Sequence, residues 1–159
     1  MGNIFSYAVS EQGRVIMGRL HPGTELIPGI IALCEDAGVK SGYVSSLIGS
    51  VSSAAYVVVK SDHAGKMGIT YSDPHEPPGP FEIMSAQGMI GIGEDGRLSV
   101  HLHALFCNTA GTFIGGHVLD YGNPVLATVE IAIGEAREIK LYRGFDEETG
   151  FPLFSFAQK

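Results

Sequence analysis

Along most of this chain apolar and polar residues alternate with the two-residue period of half-buried strands, and only one stretch keeps helical spacing. The alternation from Phe5 to Leu20 predicts two short strands around the polar turn Glu11-Gln12-Gly13-Arg14, and His21-Pro22-Gly23 stops it. Behind Thr24, a candidate N-cap, Ile27, Ile30, Ile31 and Cys34 recur on one helical face. Pro28 falls in the first turn, where a missing N–H costs little, and Gly38 follows as the C′ residue. Tyr43 to Gly49 and Ala54 to Lys60 are apolar and rich in β-branched residues. They predict two strands joined by a bend at Ser50 to Ser53.

Residues 61–80 carry Asp62, Gly65, Gly68, Pro74, Pro77, Pro78, Gly79 and Pro80, and so predict the longest loop, with a short strand at Met67 to Tyr71. Loops of that length inside a compact domain are usually functional or mobile. Phe81 to Ile92 and Leu98 to Phe106 flank the hairpin turn Gly93-Glu94-Asp95-Gly96. Thr112 to Leu119, Val125 to Ile133 and Ile139 to Arg143 are the remaining predicted strands, the last preceding the polar segment Asp146 to Gly150. There is no internal repeat and no interdomain linker. The expectation is one α+β domain over residues 1–159, a mostly antiparallel sheet with one main helix packed on it.

Composition narrows the function. Hydrophobic residues make up 45% and charged residues 17%, with mean hydropathy +0.19, which excludes a disordered chain. A formal net charge of -7 opposes a broad phosphate-neutralising surface, so DNA is disfavoured as a partner on charge grounds. Cys34 and Cys107 are too few for a disulfide framework and sit among apolar neighbours, the pattern of buried free thiols. No apolar run reaches the roughly 18 residues of a membrane span. The opening residues lack a basic segment before an apolar one; Gly2 and Ser6 fit a loose N-myristoylation pattern, without the basic cluster that would supply a second anchor. A soluble, cytoplasmic protein is expected.

The chemistry rests on histidine. Gly91-Ile92-Gly93-Glu94-Asp95-Gly96 spells a dinucleotide fingerprint, but Glu94 and Asp95 would repel a pyrophosphate and a strand follows, so it is a turn. His101-Leu102-His103 puts two imidazoles on one face of a strand. If residues 98–106 pair with 112–119 so that opposed positions sum to 218 or 220, His117 joins them on that face. Opposed Cβ atoms lie about 4.5–5.5 Å apart, within reach of one ion. Gly115 and Gly116 are expected to leave room there for the ion and a small ligand. Three imidazoles with an open fourth position suit zinc, and iron, nickel or copper also accept them. His21, His63 and His75 lie in turns or loops; His75, in the Pro-rich loop, is the one placed to fold over a metal. Glu82 and Glu130, single acids on apolar strands, are expected to pair with Arg19, Arg97 or Arg143. No serine sits in a nucleophile elbow, Cys107 lacks a thiolate-favouring environment, and no catalytic residue is nominated.

Gly79-Pro80-Phe81-Glu82-Ile83-Met84, Gly88, Asp95-Gly96, His101-Leu102-His103, Gly115-Gly116-His117 and Glu130 occur in the order of the PPC domain, the plants and prokaryotes conserved domain of unknown function. Arg19-Leu20, Pro22-Gly23, Cys34, Gly38-Val39, Ser41-Gly42 and Ile48-Gly49-Ser50 upstream, and Arg143, Asp146, Thr149 and Gly150 downstream, extend the resemblance over nearly the whole chain. The resemblance implies a sheet of about seven strands, a homotrimer, and a zinc ion held through His101, His103 and His117. Plant members carry the domain behind DNA-binding AT-hooks and contact transcription factors through a Gly-Arg-Phe-Glu-Ile-Leu segment. Here Pro80 replaces that Arg, Met84 replaces the Leu, and no Arg-Gly-Arg-Pro hook is present. The expected function is a homotrimer with a three-histidine metal site that binds or acts on a small ligand. The competing one is a DNA-associated or transcription-regulatory interaction module with structural histidines. The apolar strands Ala54 to Val59 and Val125 to Ile133 favour a closed trimer, with Phe81 to Met84 near the interface and a neighbour's Pro74 to Pro80 loop over the histidines.

Overall fold

The computed structural model describes residues 7–159. The start of the first predicted strand at Phe5 and the Gly2/Ser6 pattern lie outside the described residues. Of the two strands expected around Glu11–Arg14 only the second is present among the described residues: 7–11 are irregular, and β1 (Gln12–Leu20) begins inside the expected turn and pairs with β9 (Val125–Ala136). The expected turn residues Gly13 and Arg14 fall at an irregularity in that ladder, between the Gln12–Ala136 and Val15–Gly134 pairs. Arg14 grips the Glu135 carboxylate through Nε (3.1 Å) and Nη2 (2.9 Å) and donates also to the Ala37 carbonyl.

The helix α1 (Leu26–Ala37) buries Leu26, Ile27, Ile30 and Cys34, each aliphatic worth about 1.5–3 kcal/mol over exposure. Its N-cap is Glu25, with no side-chain cap bond, rather than Thr24. Thr24 falls one residue outside because its backbone is spent on the sheet, its carbonyl accepting from Val125 N–H at 2.9 Å. Gly38 ends the helix in the left-handed region (φ 70°), where any side chain would be strained.

The bend expected at Ser50–Ser53 is instead the end of a single strand, β2 (Gly42–Ser53), and the strand expected over Ala54 to Lys60 breaks into two short ones. β2 is central, between β6 (Pro78–Gly93) and β9, so two ladders override the local turn preference of the serines. Buried Ser50 accepts Ala127 N–H at 3.2 Å. β3 (Tyr56–Val57), β4 (Val59–Ser61) and β5 (Ile69–Tyr71) follow, the last inside the predicted short strand. β6 leads through the Gly93–Gly96 turn into β7 (Leu98–Asn108), then β8 (Phe113–Val118), β9, β10 (Ile139–Phe145) and β11 (Pro152–Gln158).

The order is β1-β9-β2-β6-β7-β8-β3, with β10 parallel to the end of β6 and antiparallel to β11; β4 and β5 form a separate hairpin. Eleven strands, not about seven, are therefore present among the described residues, beside one helix. The excess is short elements plus β11, where Phe154 and Phe156 alternate with the more exposed Leu153 and Ser155. α1 covers one face of the main sheet over a core containing Leu47, Ile83, Ile90, Leu102, Phe106 and Ile133. Met84, extra relative to β7, and Ser85 both leave that core, after which Ala86 re-enters it. The other sheet face carries the histidines.

Candidate metal centre

Burial alternates along β7: Val100, Leu102, Ala104 and Phe106 point to the core, and His101 and His103 to the opposite face. In the β7–β8 ladder His103 stands directly across from His117, so opposed positions sum to 220 and all three rings share one face. The ring centroids of His101 lie 5.0 Å from His103 and 4.7 Å from His117, and those of His103 and His117 are 5.4 Å apart. One nitrogen from each ring lies within 4.8 Å of the others, and the Nε2 atoms of His101 and His103 are 3.0 Å apart. Two nitrogens bound tetrahedrally at about 2.05 Å would be about 3.3 Å apart, close to that spacing.

Burial first, then Arg143 and His103, lowers the His101 pKa to about 4. Burial, His101, Arg143 and His103, in that order, do the same for His117, also to about 4. Both rings are therefore neutral at pH 7, the form that offers a lone pair to a metal. His117 Nδ1 is buried with no hydrogen-bond partner. Two neutral imidazoles, a third beside them and an unmet ring nitrogen fit a divalent transition ion.

The glycines serve both packing and open space. A Cβ on Gly115 would collide with the Ala104 carbonyl oxygen, and one on Gly116 with that of Val57. They allow close strand packing around His117. They also border the room beside His103, a groove of about 750 Å³ that His75, Gln87 and Phe113 line with them. His75 is not in the cluster: its ring stacks on Tyr56 at 5.1 Å and its backbone exchanges two hydrogen bonds with the same residue. His21 and His63 are exposed. Glu82 and Glu130 are exposed too, so no buried charge forces the pairing expected for them. Cys34 is buried, which pushes its thiol up to about 11 and leaves it unreactive. The Gly91–Gly96 segment makes the β6–β7 turn, with Asp95 Oδ1 accepting Arg97 N–H.

Two neighbours of the cluster are not placed there by the sequence, which offers Arg143 as an ion-pair partner for Glu82 or Glu130. Tyr71, on β5, lies with its ring 5.5 Å from His117 and edge-on to Phe151 at 5.2 Å. Arg143, on β10, reaches across β6 to β7, where Nη1 donates to Val100 O (3.2 Å) and Ser99 Oγ (3.4 Å). No local pattern marks either, because each arrives from a distant strand. Lys66, in the β4–β5 connection, binds the Glu147 carboxylate at 2.9 Å and tethers that hairpin to the segment before β11.

The profile of the Plants and Prokaryotes Conserved (PCC) domain matches residues 7–137. A metal-containing protein from Archaeoglobus fulgidus superposes with a TM-score of 0.80 at 26% identity, over 95% of this chain and 99% of that one. A plant- and prokaryote-conserved protein from Pyrococcus horikoshii shares the fold, with a TM-score of 0.78 at 21% identity over 98% and 100% of the two chains. The bifunctional protein GlmU of Synechococcus sp. is 29% identical over 133 residues, 84% of this chain; the match spans only 18% of that relative's length.

Proposed function

Because the chain belongs to the Plants and Prokaryotes Conserved (PCC) domain family, we propose that it is a homotrimeric metal-binding protein that takes a small ligand at a three-histidine centre. His101, His103 and His117 would hold one divalent transition ion, zinc before the other metals that imidazole accepts. The observation that carries the reading is the convergence of the three rings by strand register, with one nitrogen of each within 4.8 Å. A bound ion of this kind supplies Lewis acidity to whatever oxygen or nitrogen fills its open position. The chain's own part is to keep His101 and His117 neutral by burial and to close one side with Tyr71.

Assembly as a trimer has support in an apolar row on the exposed face. Ile48, Met84 and Leu105 are 50%, 51% and 43% exposed on the adjacent strands β2, β6 and β7. Such a row wants a partner, and a cyclic assembly covers it on every subunit.

The test is metal content of untagged protein by inductively coupled plasma mass spectrometry. Near one ion per chain supports the centre. Metal-free protein that retains DNA at physiological salt favours a DNA-associated module, which would use the cleft lined by Lys40, Arg137, Lys140 and Lys159.

A further inference from the structure

Arg143 is a half-buried cation whose charge the protein does not answer. Its Nη1 is fixed on Val100 O and Ser99 Oγ, immediately before His101 in β7. Its Nε is buried without a partner. Among the described residues no carboxylate lies within ion-pair distance of it; the arginines and lysine in ion pairs are Arg14, Lys66, Arg97 and Arg137. Asp120 and Tyr71 act on it only through longer-range electrostatics. A histidine in such a place could shed its proton, but a guanidinium cannot, so the charge stays and calls for an anion. The three rings beside it contribute no negative charge, and a divalent ion among them would add to the positive side.

From this arrangement we infer that Arg143 forms an oxyanion subsite next to the three-histidine centre, and that the ligand of the centre is a small molecule bearing a carboxylate or phosphate group. The inference rests on the metal reading above and names the ligand class for that same site. In a chain of net charge -7 this is a local exception, which selects anions at one place while the rest of the surface repels them. A planar guanidinium already fixed on one side by Val100 and Ser99 presents its remaining N–H groups in a set orientation, which suits an oxyanion better than a mobile ammonium would.

The experiment uses the full chain loaded with cobalt(II), free metal removed, and titrated with acetate, inorganic phosphate and neutral acetamide. The cobalt visible spectrum reports events at the centre, and calorimetry gives affinities. One of the two anions should perturb the spectrum and bind at least tenfold tighter than acetamide; which of them does so separates carboxylate from phosphate recognition. An open metal position by itself prefers anions, so the deciding arm is Arg143→Gln. It should keep its cobalt and lose tenfold or more in anion affinity. Arg143→Lys, which keeps the charge and loses the fork, should lose threefold or more and carries the test if the Gln chain does not fold. Wild-type anion affinity in cobalt-loaded Arg143→Gln, or equal binding of acetate, phosphate and acetamide by the wild type, overturns the subsite alone. Failure of the wild type to take up cobalt overturns the metal centre and the subsite with it.

Discussion

His103 and His117 are register partners across the β7–β8 ladder, so a single antiparallel pairing brings the second half of the His-x-His element to the third imidazole. A shift of one residue would send His117 to the core face among Phe106 and Leu102. The centre therefore depends on that ladder as much as on the residues in it.

Replacing any one of His101, His103 or His117 by Ala should lower the metal content of purified protein at least tenfold, because two imidazoles rarely hold such an ion. His63, exposed and outside the cluster, serves as the control, and its Ala variant should keep wild-type metal. Undiminished metal in all three cluster variants would contradict the assignment.

Acid should weaken the metal-free protein in a defined window. His101 and His117 titrate near 4 when folded, against about 6.5 when unfolded, so the unfolded state binds the extra protons. Their contribution is complete above pH 6.5 and is lost as pH falls toward 4. Thermal melts of chelator-treated protein should drop by several degrees between pH 7 and 5. That drop should shrink in the His101→Ala and His117→Ala chains, and an unchanged pH profile in both variants would contradict a histidine origin.

Asn123 is fully buried and satisfied on every side. Its Nδ2 donates to the carbonyls of Ala55, Leu119 and Tyr121, and its Oδ1 accepts Ala55 N–H at 2.9 Å. Asn123→Ala orphans those groups and should cost about 3 kcal/mol, read as a lower urea midpoint with unchanged slope. Glu82→Gln and Glu130→Gln, at exposed positions, should stay within about 0.5 kcal/mol of wild type.

Light scattering at micromolar concentration should return three times the 16.8 kDa chain mass. Met84→Lys or Leu105→Lys, which charges the exposed apolar row, should shift the protein toward the single-chain mass without unfolding it. A wild-type chain that runs as a monomer contradicts the assembly.

Much of the fold was legible in short windows of sequence. The Ile27–Cys34 spacing, Gly38 with its left-handed φ, and the Gly93–Gly96 turn depend on interactions within a few residues, and each sits where its pattern put it. The shared face of His101 and His103 was equally legible, since strand alternation needs no knowledge of the partner. Register was narrowed to two even sums but not chosen, because the choice of 220 rests on how β8 seats its glycines against β7 and β3. Tertiary pairing decided the rest. β1 begins inside the expected turn, where Glu135 holds Arg14, β2 runs on past Ser50 through its two ladders, and Met84 and Ser85 turn away from the core together. Tyr71 and Arg143 reach the centre only because β5 folds over it and β10 joins the end of β6. Periodicity is written locally in the side chains, whereas the meeting of distant strands is set by burial and by ladder hydrogen bonds that no short window contains.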